Sequence, residues 1–358
     1  ISPLRDMNKT SITVKVITKG SRLNDDRPSS LTNPSFPNNT PIWGECRFVF
    51  GNEQDYDWLV VNDDFKGEIK LNCPKNNTLL VTTEPSSIKT YESVYTRQFG
   101  HVLTGQENWA LKHRGKIYSQ PALYWFYGFR SGKGDNLSYD YIANHPPAEK
   151  KAEISTVTSA KRQRHTLHRM RYNFIEKLQR RLPELARFGK GIREITDKAE
   201  ALDPFKYHIA IENHICDHWW TEKLSDSFLG LCLPFYHGAP NASEYFPPES
   251  FISIDINDFE GSYRIISDAI KNNEYEKRLP AIKQARELVL KKYNFYATVA
   301  QIVEQKHPAE PSSNSEKSTY LRSRAVLRKN PFYAAHTMIE KMRNKSLNII
   351  EKIRTSNQ

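Results

Sequence analysis

Between Tyr207 and Gly238 the chain reads YHIAIENHICDHWWTEKLSDSFLGLCLPFYHG, and one pattern inside it could hold a phosphate. An apolar run ends at Glu212-Asn213, a loop carries Trp219 and Trp220, and helical spacing opens after Thr221. Thr221 suits the N-cap, because its hydroxyl can accept from an orphan amide of the first turn. Lys223 then falls within that turn, where the helix dipole disfavours a cation. A phosphate held by free amides and the ammonium together would account for the placement; so would a lysine that simply points to water. The two tryptophans could wall a nucleotide or sugar pocket, or fill a core, since tryptophan is well buried on average.

The elements that must position these residues alternate. Ser11 to Thr18, Cys46 to Phe50, Asp57 to Asn62, Thr78 to Thr83 and His101 to Thr104 have the composition of short buried strands, which suits a sheet covered on both faces. Asn24 to Pro41 is rich in Asn, Pro and Ser and reads as a long loop. The Pro-rich, charged passage Asn144 to Lys151 reads as a linker. Beyond it the pattern gives a strand at Ile154 to Thr158, a basic helix at Leu167 to Leu182, and a strand at His208 to Glu212. A helix at Glu222 to Leu231, strands at Cys232 to Tyr236 and Phe251 to Ile254, and a helix at Gly261 to Lys271 complete the series. Strand–helix alternation of this kind predicts doubly wound parallel sheets, with ligands at the carboxyl ends of the strands.

The length of 358 residues allows two cores, and 38% hydrophobic with 26% charged residues is a globular composition. No apolar run approaches the roughly 20 residues of a membrane span. Cys46, Cys73, Cys216 and Cys232 form no CxxC pair, which argues against a zinc site or disulfide framework and suits a reducing cytosol. The formal charge of +11 calls for an anionic partner: nucleic acid, a nucleotide diphosphate or acidic headgroups. Residues 1–6 precede Met7, which reads as a native start, and are expected to be a foreign remnant. The domains expected are therefore 7–150, 151–306 and a basic helical tail at 307–358. The tail, helical in pattern from Tyr320 to Arg354, is either a solvated or domain-bridging helix pair or a basic amphipathic contact with an acidic membrane surface.

The segment resembles the donor-binding region of the α1,3/α1,4-fucosyltransferase family. There a strand ending in F-E-N is followed by an aromatic-V/I-T-E-K stretch, a helix, and P-V/I with G-x-P. These elements stand here as Ile211 to Asn213, Trp219 to Leu224 and Leu233 to Pro240, and the family's next element is matched by Tyr245 to Phe259. Upstream, HRMRYNFIEKL (His168 to Leu178) aligns with a family helix and places its donor-contacting arginine at Arg171. In the N-terminal half, LLVTTEPSSIKTY (Leu79 to Tyr91) is similar to the segment that bears the catalytic carboxylate, which nominates Glu84. Glu107 in TGQEN is the rival, but choosing it puts Leu79 and Pro121 out of register.

The resemblance implies a GT-B fold: two Rossmann-like domains facing a cleft, with an N-terminal acceptor domain and a C-terminal GDP-sugar domain. It implies inverting transfer of L-fucose from GDP-fucose to a glycan hydroxyl, in an α1,3-type linkage. Glu84 would be the base, and Arg171 and Lys223 would stabilise the diphosphate. Thr221 would open the helix, Glu222 would accept from sugar hydroxyls, Trp219 would pack on the donor, and Asn213 would shape the loop. No Asp-x-Asp metal motif stands at a suitable strand end, so metal-independent chemistry with no cofactor is expected. The chain departs from the family at Ile211, Trp219 and His237, which are expected to line the sugar pocket. The partners expected are a GDP-sugar, a glycan acceptor and, through the tail, the inner face of a membrane from the cytoplasm. A transferase for another nucleotide-activated sugar is the nearer rival. A nucleic-acid-binding protein, suggested by the run Lys161 to Arg171, is the more distant one.

Overall fold

The computed structural model describes residues 11–18, 36–130, 136–158, 167–308 and 320–356. The expected remnant at 1–6, most of the loop from Asn24 to Pro41, residues 161–166 of the basic run and most of the break after His307 lie outside the described residues.

Short β-branched runs build the first sheet. Its strands are β1 (Ile12–Thr18), β2 (Ile42–Trp43), β3 (Cys46–Val49) and β4 (Trp58–Asn62), while β5 (Glu68–Lys70) stands apart; β6 (Thr78–Val81), β7 (His101–Thr104) and β8 (Lys116–Tyr118) complete it. The order is β2-β3-β1-β4-β6-β7-β8, parallel except for the β2–β3 edge pair. Every residue of β4 and of β6 is buried, as a sheet covered on both faces requires. Lys15 in β1 is tolerated because its ammonium reaches the Glu53 carbonyl at 2.6 Å. The second sheet contains β9 (Ala152–Val157), β10 (Ala186–Phe188), β11 (Phe205–Ile211), β12 (Leu233–His237) and β13 (Ile252–Ser253), in the order β10-β9-β11-β12-β13, all parallel. The carboxyl ends of both sheets face one cleft, which is the GT-B arrangement.

The helices are α1 (Ser93–Thr96), α2 (Tyr139–Asn144), α3 (His168–Arg181), α4 (Glu222–Leu229), α5 (Phe259–Lys271), α6 (Glu274–Lys291), α7 (Phe295–Lys306), α8 (Arg324–Leu327) and α9 (Pro331–Ser356). Two of them move the expected domain boundaries. Helix α7, assigned to 151–306 from sequence, packs instead in the first core: Phe295, Tyr296, Val299 and Val303 lie against Val14, Phe48, Trp58 and Leu79. Helix α2 and Tyr127, assigned to 7–150, sit in the second core with Ile154, Ile175 and Tyr207. Composition marks the turn-rich passage at Asn144 to Lys151, but it carries no information on which apolar surface the flanking elements will cover. A parallel sheet needs cover on both faces, and α7 returns across the molecule to supply it.

The tail also differs from a plain helix pair. Tyr320–Arg322 forms β14, antiparallel to β5, and the other face of the first sheet is closed partly by Leu321 and Leu327. Arg324 forks onto the buried Glu92 carboxylate at 2.7 and 2.8 Å, a bidentate geometry that suits guanidinium, and Arg328 adds a contact of 2.6 Å. Helix α9 docks through Glu340, which accepts from the Ser93 amide at 2.8 Å, and Asn344, which donates to the Ala110 carbonyl at 3.1 Å.

If α7 is an integral part of the first core, Phe295→Ala should destabilise the protein by about 3–5 kcal/mol, as for other buried phenylalanines. Urea denaturation monitored by fluorescence would read this; a change near zero would return α7 to the surface of the second domain.

Candidate functional site

The site is organised from inside the second domain. Glu212 directly follows strand β11, and its side chain is completely buried. Its carboxylate accepts from the Thr221 amide at 2.8 Å and from the Thr221 hydroxyl at 2.7 Å. Thr221 is the N-cap of α4, as its type predicts: the same hydroxyl accepts from the Lys223 amide at 3.3 Å. The Lys223 ammonium lies 2.9 Å from Glu222, 3.6 Å from Glu212 and 3.2 Å from Thr221 Oγ1. It therefore does not point to water, and a phosphate at this helix start would share it with two carboxylates. Burial alone would raise the Glu222 carboxyl, but Lys223 and Lys198 together hold it well below the usual carboxylate range. Burial pushes the Glu212 carboxyl up, against the opposing pull of Lys223.

Neighbouring residues fit this arrangement closely. Gly238 has no room for a side chain: a Cβ there would stand 2.1 Å from Tyr236 Oη and 2.6 Å from Glu212 Cγ. Asp226, one turn into α4, is buried; it accepts from the Phe126 and Tyr127 amides at 2.9 and 3.1 Å and from the Lys198 ammonium at 2.7 Å. That pins α4 to the segment joining the two sheets. Arg171 on α3 is buried too, and donates to Asn213 Oδ1 at 2.9 Å and to the Ile211 carbonyl at 3.3 Å. It lines a smaller pocket of about 240 Å³ at the ends of β9 and β11, which shares Asn213, Glu222 and Lys223 with the main cleft.

The tryptophans divide their two possible roles. Trp219 lines the main cleft and packs against the first domain so closely that a Cβ on Gly105 would come within 2.9 Å of its ring. Trp220 belongs to the second core, edge-on to Phe246 and Tyr293.

Across the cleft, the ends of β1, β4 and β6 contribute Thr18, Asn62, Asp63, Thr83 and Glu84. The cleft they share with Asn213, Trp219, Thr221, Glu222 and Lys223 has a volume of about 540 Å³. Burial raises the Glu84 carboxyl above the ordinary carboxylate range, Asp63 adds to the rise, and Lys89 and Lys223 oppose it. Among the described residues no hydrogen bond engages that carboxylate, although the Glu84 backbone is held at both ends: its amide donates to Tyr91 Oη at 3.3 Å and its carbonyl accepts from Gln106 Nε2 at 2.8 Å. Glu107 lies elsewhere. It is paired with His214 Nε2 at 3.2 Å, does not line the cleft, and forms with His214 and Cys216 a group whose ligand-type atoms lie within 4.8 Å of one another.

The structure thus brings Glu84, Asn213, Trp219, Thr221, Glu222 and Lys223 to one cleft and Arg171 to its adjoining pocket. Of the three departures expected to line the sugar pocket, His237 does not: its ring turns to the Ile254 carbonyl at 3.0 Å. A residue at the very end of β12 can face either side of the sheet, and only the packing of β13 beside it decides which. Sequence reasoning missed Glu212, Asp63, Lys198 and Asp226. Glu212 alone carried a signal, a carboxylate directly after an apolar strand of which every residue but Lys206 is buried.

A family model described as glycosyltransferase family 10 (fucosyltransferase), C-terminal, matches residues 147–279. The second domain is thus similar to this family's C-terminal part. Its match lies on the second sheet and its helices, which carry α3 and the β11–α4 site. The α-(1,3)-fucosyltransferase FucT of Helicobacter pylori is 30% identical over 67 residues, a stretch amounting to 18% of this chain and 14% of that protein. The matched region therefore spans about a seventh of the length of that relative. A crystal structure of an α1,3-fucosyltransferase superposes with a TM-score of 0.52 at 14% identity, covering 89% of this chain and 96% of the other, and shares its fold.

Removing the Glu212 carboxylate leaves the buried Thr221 amide and hydroxyl without their acceptor. Glu212→Ala should cost about 1–3 kcal/mol in chemical denaturation. A variant as stable as the parent would show that Thr221 is held by other contacts.

Proposed function

We propose that this chain transfers L-fucose from GDP-fucose to a hydroxyl of a glycan, in an α1,3-type linkage and with inversion at the anomeric carbon. One observation carries the reading. A carboxylate raised by burial, Glu84, which accepts no hydrogen bond among the described residues, faces across a single cleft the start of α4, where the Lys223 ammonium lies. In a single displacement, the acceptor oxygen attacks the anomeric carbon while Glu84 takes its proton, and the bond to the GDP oxygen breaks. Charge then develops on the leaving diphosphate. Lys223 and Arg171 are fixed beforehand, so they can stabilise it without reorganising.

The remaining residues have supporting roles. Glu222, kept ionised by Lys198 and Lys223, accepts from hydroxyls of the ribose or the sugar. Trp219 packs on the donor from the face it shares with the first domain, and Asn213 shapes the loop under the control of Arg171. Because fixed cations fill the part that a divalent ion plays elsewhere, the reading calls for no metal in the transfer step. Glu84 is preferred to Glu107 as the base because Glu107 is already occupied by His214 and lies off the cleft. The basic run favours nucleic acid no further: Arg171, its last residue, is buried and bonded inward.

A second contact is proposed for the tail. On α9, Phe332, Met338, Ile339 and Met342 are exposed on a helix that also carries Lys341, Arg343 and Lys345, a composition suited to an acidic membrane surface on the cytoplasmic side. Among the described residues no helix is long and apolar enough to cross a membrane.

Thermal shift against GDP, GDP-fucose, GDP-mannose and UDP-sugars tests the donor directly, since a ligand that binds only the folded state raises its melting temperature. GDP and GDP-fucose should stabilise the protein and UDP-sugars should not. Lys223→Ala and Arg171→Ala should each weaken GDP binding by about tenfold or more, the scale of a lost charge-assisted hydrogen bond. Glu84→Gln should keep GDP binding and abolish transfer; near-full turnover in that variant would remove Glu84 as the base.

The pH profile follows from the same carboxylate. A base works only when ionised, and the Glu84 carboxyl is raised, so kcat should fall as pH drops through a value above the ordinary glutamate range. An acid limb at or below the range of an exposed glutamate would contradict this environment.

A further inference from the structure

The residues behind Glu84 form a connected network of hydrogen bonds. Asp63 closes β4 at the mouth of the cleft, with its backbone in the left-handed region at φ +75, which few residues other than glycine, asparagine and aspartate adopt. Its amide is tied to the Val81 carbonyl at 2.8 Å, so the strand end and the turn are fixed together. From this position its Oδ1 accepts from both Lys89 Nζ and Tyr91 Oη, each at 2.5 Å. Tyr91 is buried, and its hydroxyl in turn accepts from the Thr83 amide at 2.9 Å and the Glu84 amide at 3.3 Å. Gln106, also buried, clasps the same loop by donating to the carbonyls of Glu84 and Lys89 at 2.8 and 2.9 Å. The Glu84 loop is thus held at its amides by Asp63 through Tyr91 and at its carbonyls by Gln106.

We infer that Asp63 is the positioning residue for the carboxylate at Glu84, holding its backbone through Tyr91 and restraining the charge of Lys89 beside it. The inference rests on the reading of Glu84 as the base of the transfer. The charged groups around Glu84 are Asp63 at the end of β4, Lys89 on its own loop, and Glu222 and Lys223 at the start of α4; Asp64 and Arg324 lie behind Lys89. Asp63 and Glu222 disfavour a second negative charge at Glu84, whereas Lys89 and Lys223 favour it. An aspartate at Asp63 therefore acts twice on the base. It adds a repelling charge, and it engages the ammonium that would otherwise turn wholly toward Glu84 and weaken it as a proton acceptor.

Asp63→Asn is the informative variant, because asparagine tolerates the left-handed backbone and keeps the side-chain shape. With GDP-fucose and an accepted glycan, kcat should fall about tenfold while the donor KM stays within about twofold, the pattern of a lost transition-state contribution. The acid limb of the kcat profile should move to lower pH, because losing the Asp63 charge and freeing Lys89 both favour ionised Glu84. Tyr91→Phe, which keeps both charges but cuts the tie to the Thr83 and Glu84 amides, should lower kcat with the acid limb in place. Direct titration of the Glu84 carboxyl by carbon NMR in the parent and in Asp63→Asn reads the coupling without turnover. An unmoved Glu84 titration and acid limb in Asp63→Asn would overturn the inference, as would a loss of kcat matched by an equal loss of donor affinity and melting temperature. Glu84→Gln separates the two levels. Full turnover there would overturn the base reading, and this inference with it, whereas lost turnover with an unmoved titration in Asp63→Asn would overturn this inference alone.

Discussion

A completely buried carboxylate is costly unless its oxygens are occupied, and Glu212 meets that demand with the amide and hydroxyl of a residue nine positions later. Most of the second domain's side of the cleft follows from this single constraint. The bonds fix the end of β11 to the first turn of α4, and the intervening loop must then carry Asn213 and Trp219 to the cleft. Lys223 is drawn in as the counter-charge, which reverses the ordinary penalty for a cation at a helix N-terminus. Gly238 is required for the same reason, because any side chain would displace Glu212 or Tyr236.

Three glutamates close together have been given three environments. Glu212 is sealed in and serves as an acceptor for its own domain. Glu222 is kept ionised by two lysines, which leaves it a strong acceptor. Glu84, across the cleft, is partly desolvated and its carboxylate accepts no hydrogen bond among the described residues; burial raises its proton affinity. Separation of proton affinities among neighbouring carboxylates is how one site can combine a base with permanently charged binding groups at neutral pH. Here the separation comes from where the lysines are placed, more than from differences in burial.

The two domains are joined by more than a linker. Chain passes from the first core to the second near Phe126 and Tyr127, where Asp226 captures both amides, and it returns before α7, which closes a face of the first sheet. The tail then pairs β14 with β5 and locks Arg324 onto Glu92 on the opposite face. The interface beside Trp219 adds the Gly105 contact and the hydrogen bonds of Tyr245 to Ser119 and Gln120. The two halves of the cleft are therefore held at a defined separation, which is what a displacement between two bound partners needs.

Much of this was legible in the residues themselves. Strands β1, β4, β6, β7, β9, β11 and β12 and helices α3, α4 and α5 follow from short apolar runs and helical spacing, because local periodicity reflects which side of an element meets the core. Thr221 as an N-cap is a local matter and reads correctly; so does the placing of the cleft at the carboxyl ends of the strands, which the alternation of strand and helix implies. What the residues could not state is which distant surface each element covers. The homes of α7 and α2, the strand at Tyr320–Arg322, the sealing of Glu212 and the inward turn of His237 all depend on partners tens to hundreds of positions away. The same holds for Glu84 against Glu107. Both are carboxylates just after strands, and only the tertiary packing gave one of them to the cleft and the other to His214, because electrostatic environment is a property of neighbours in space.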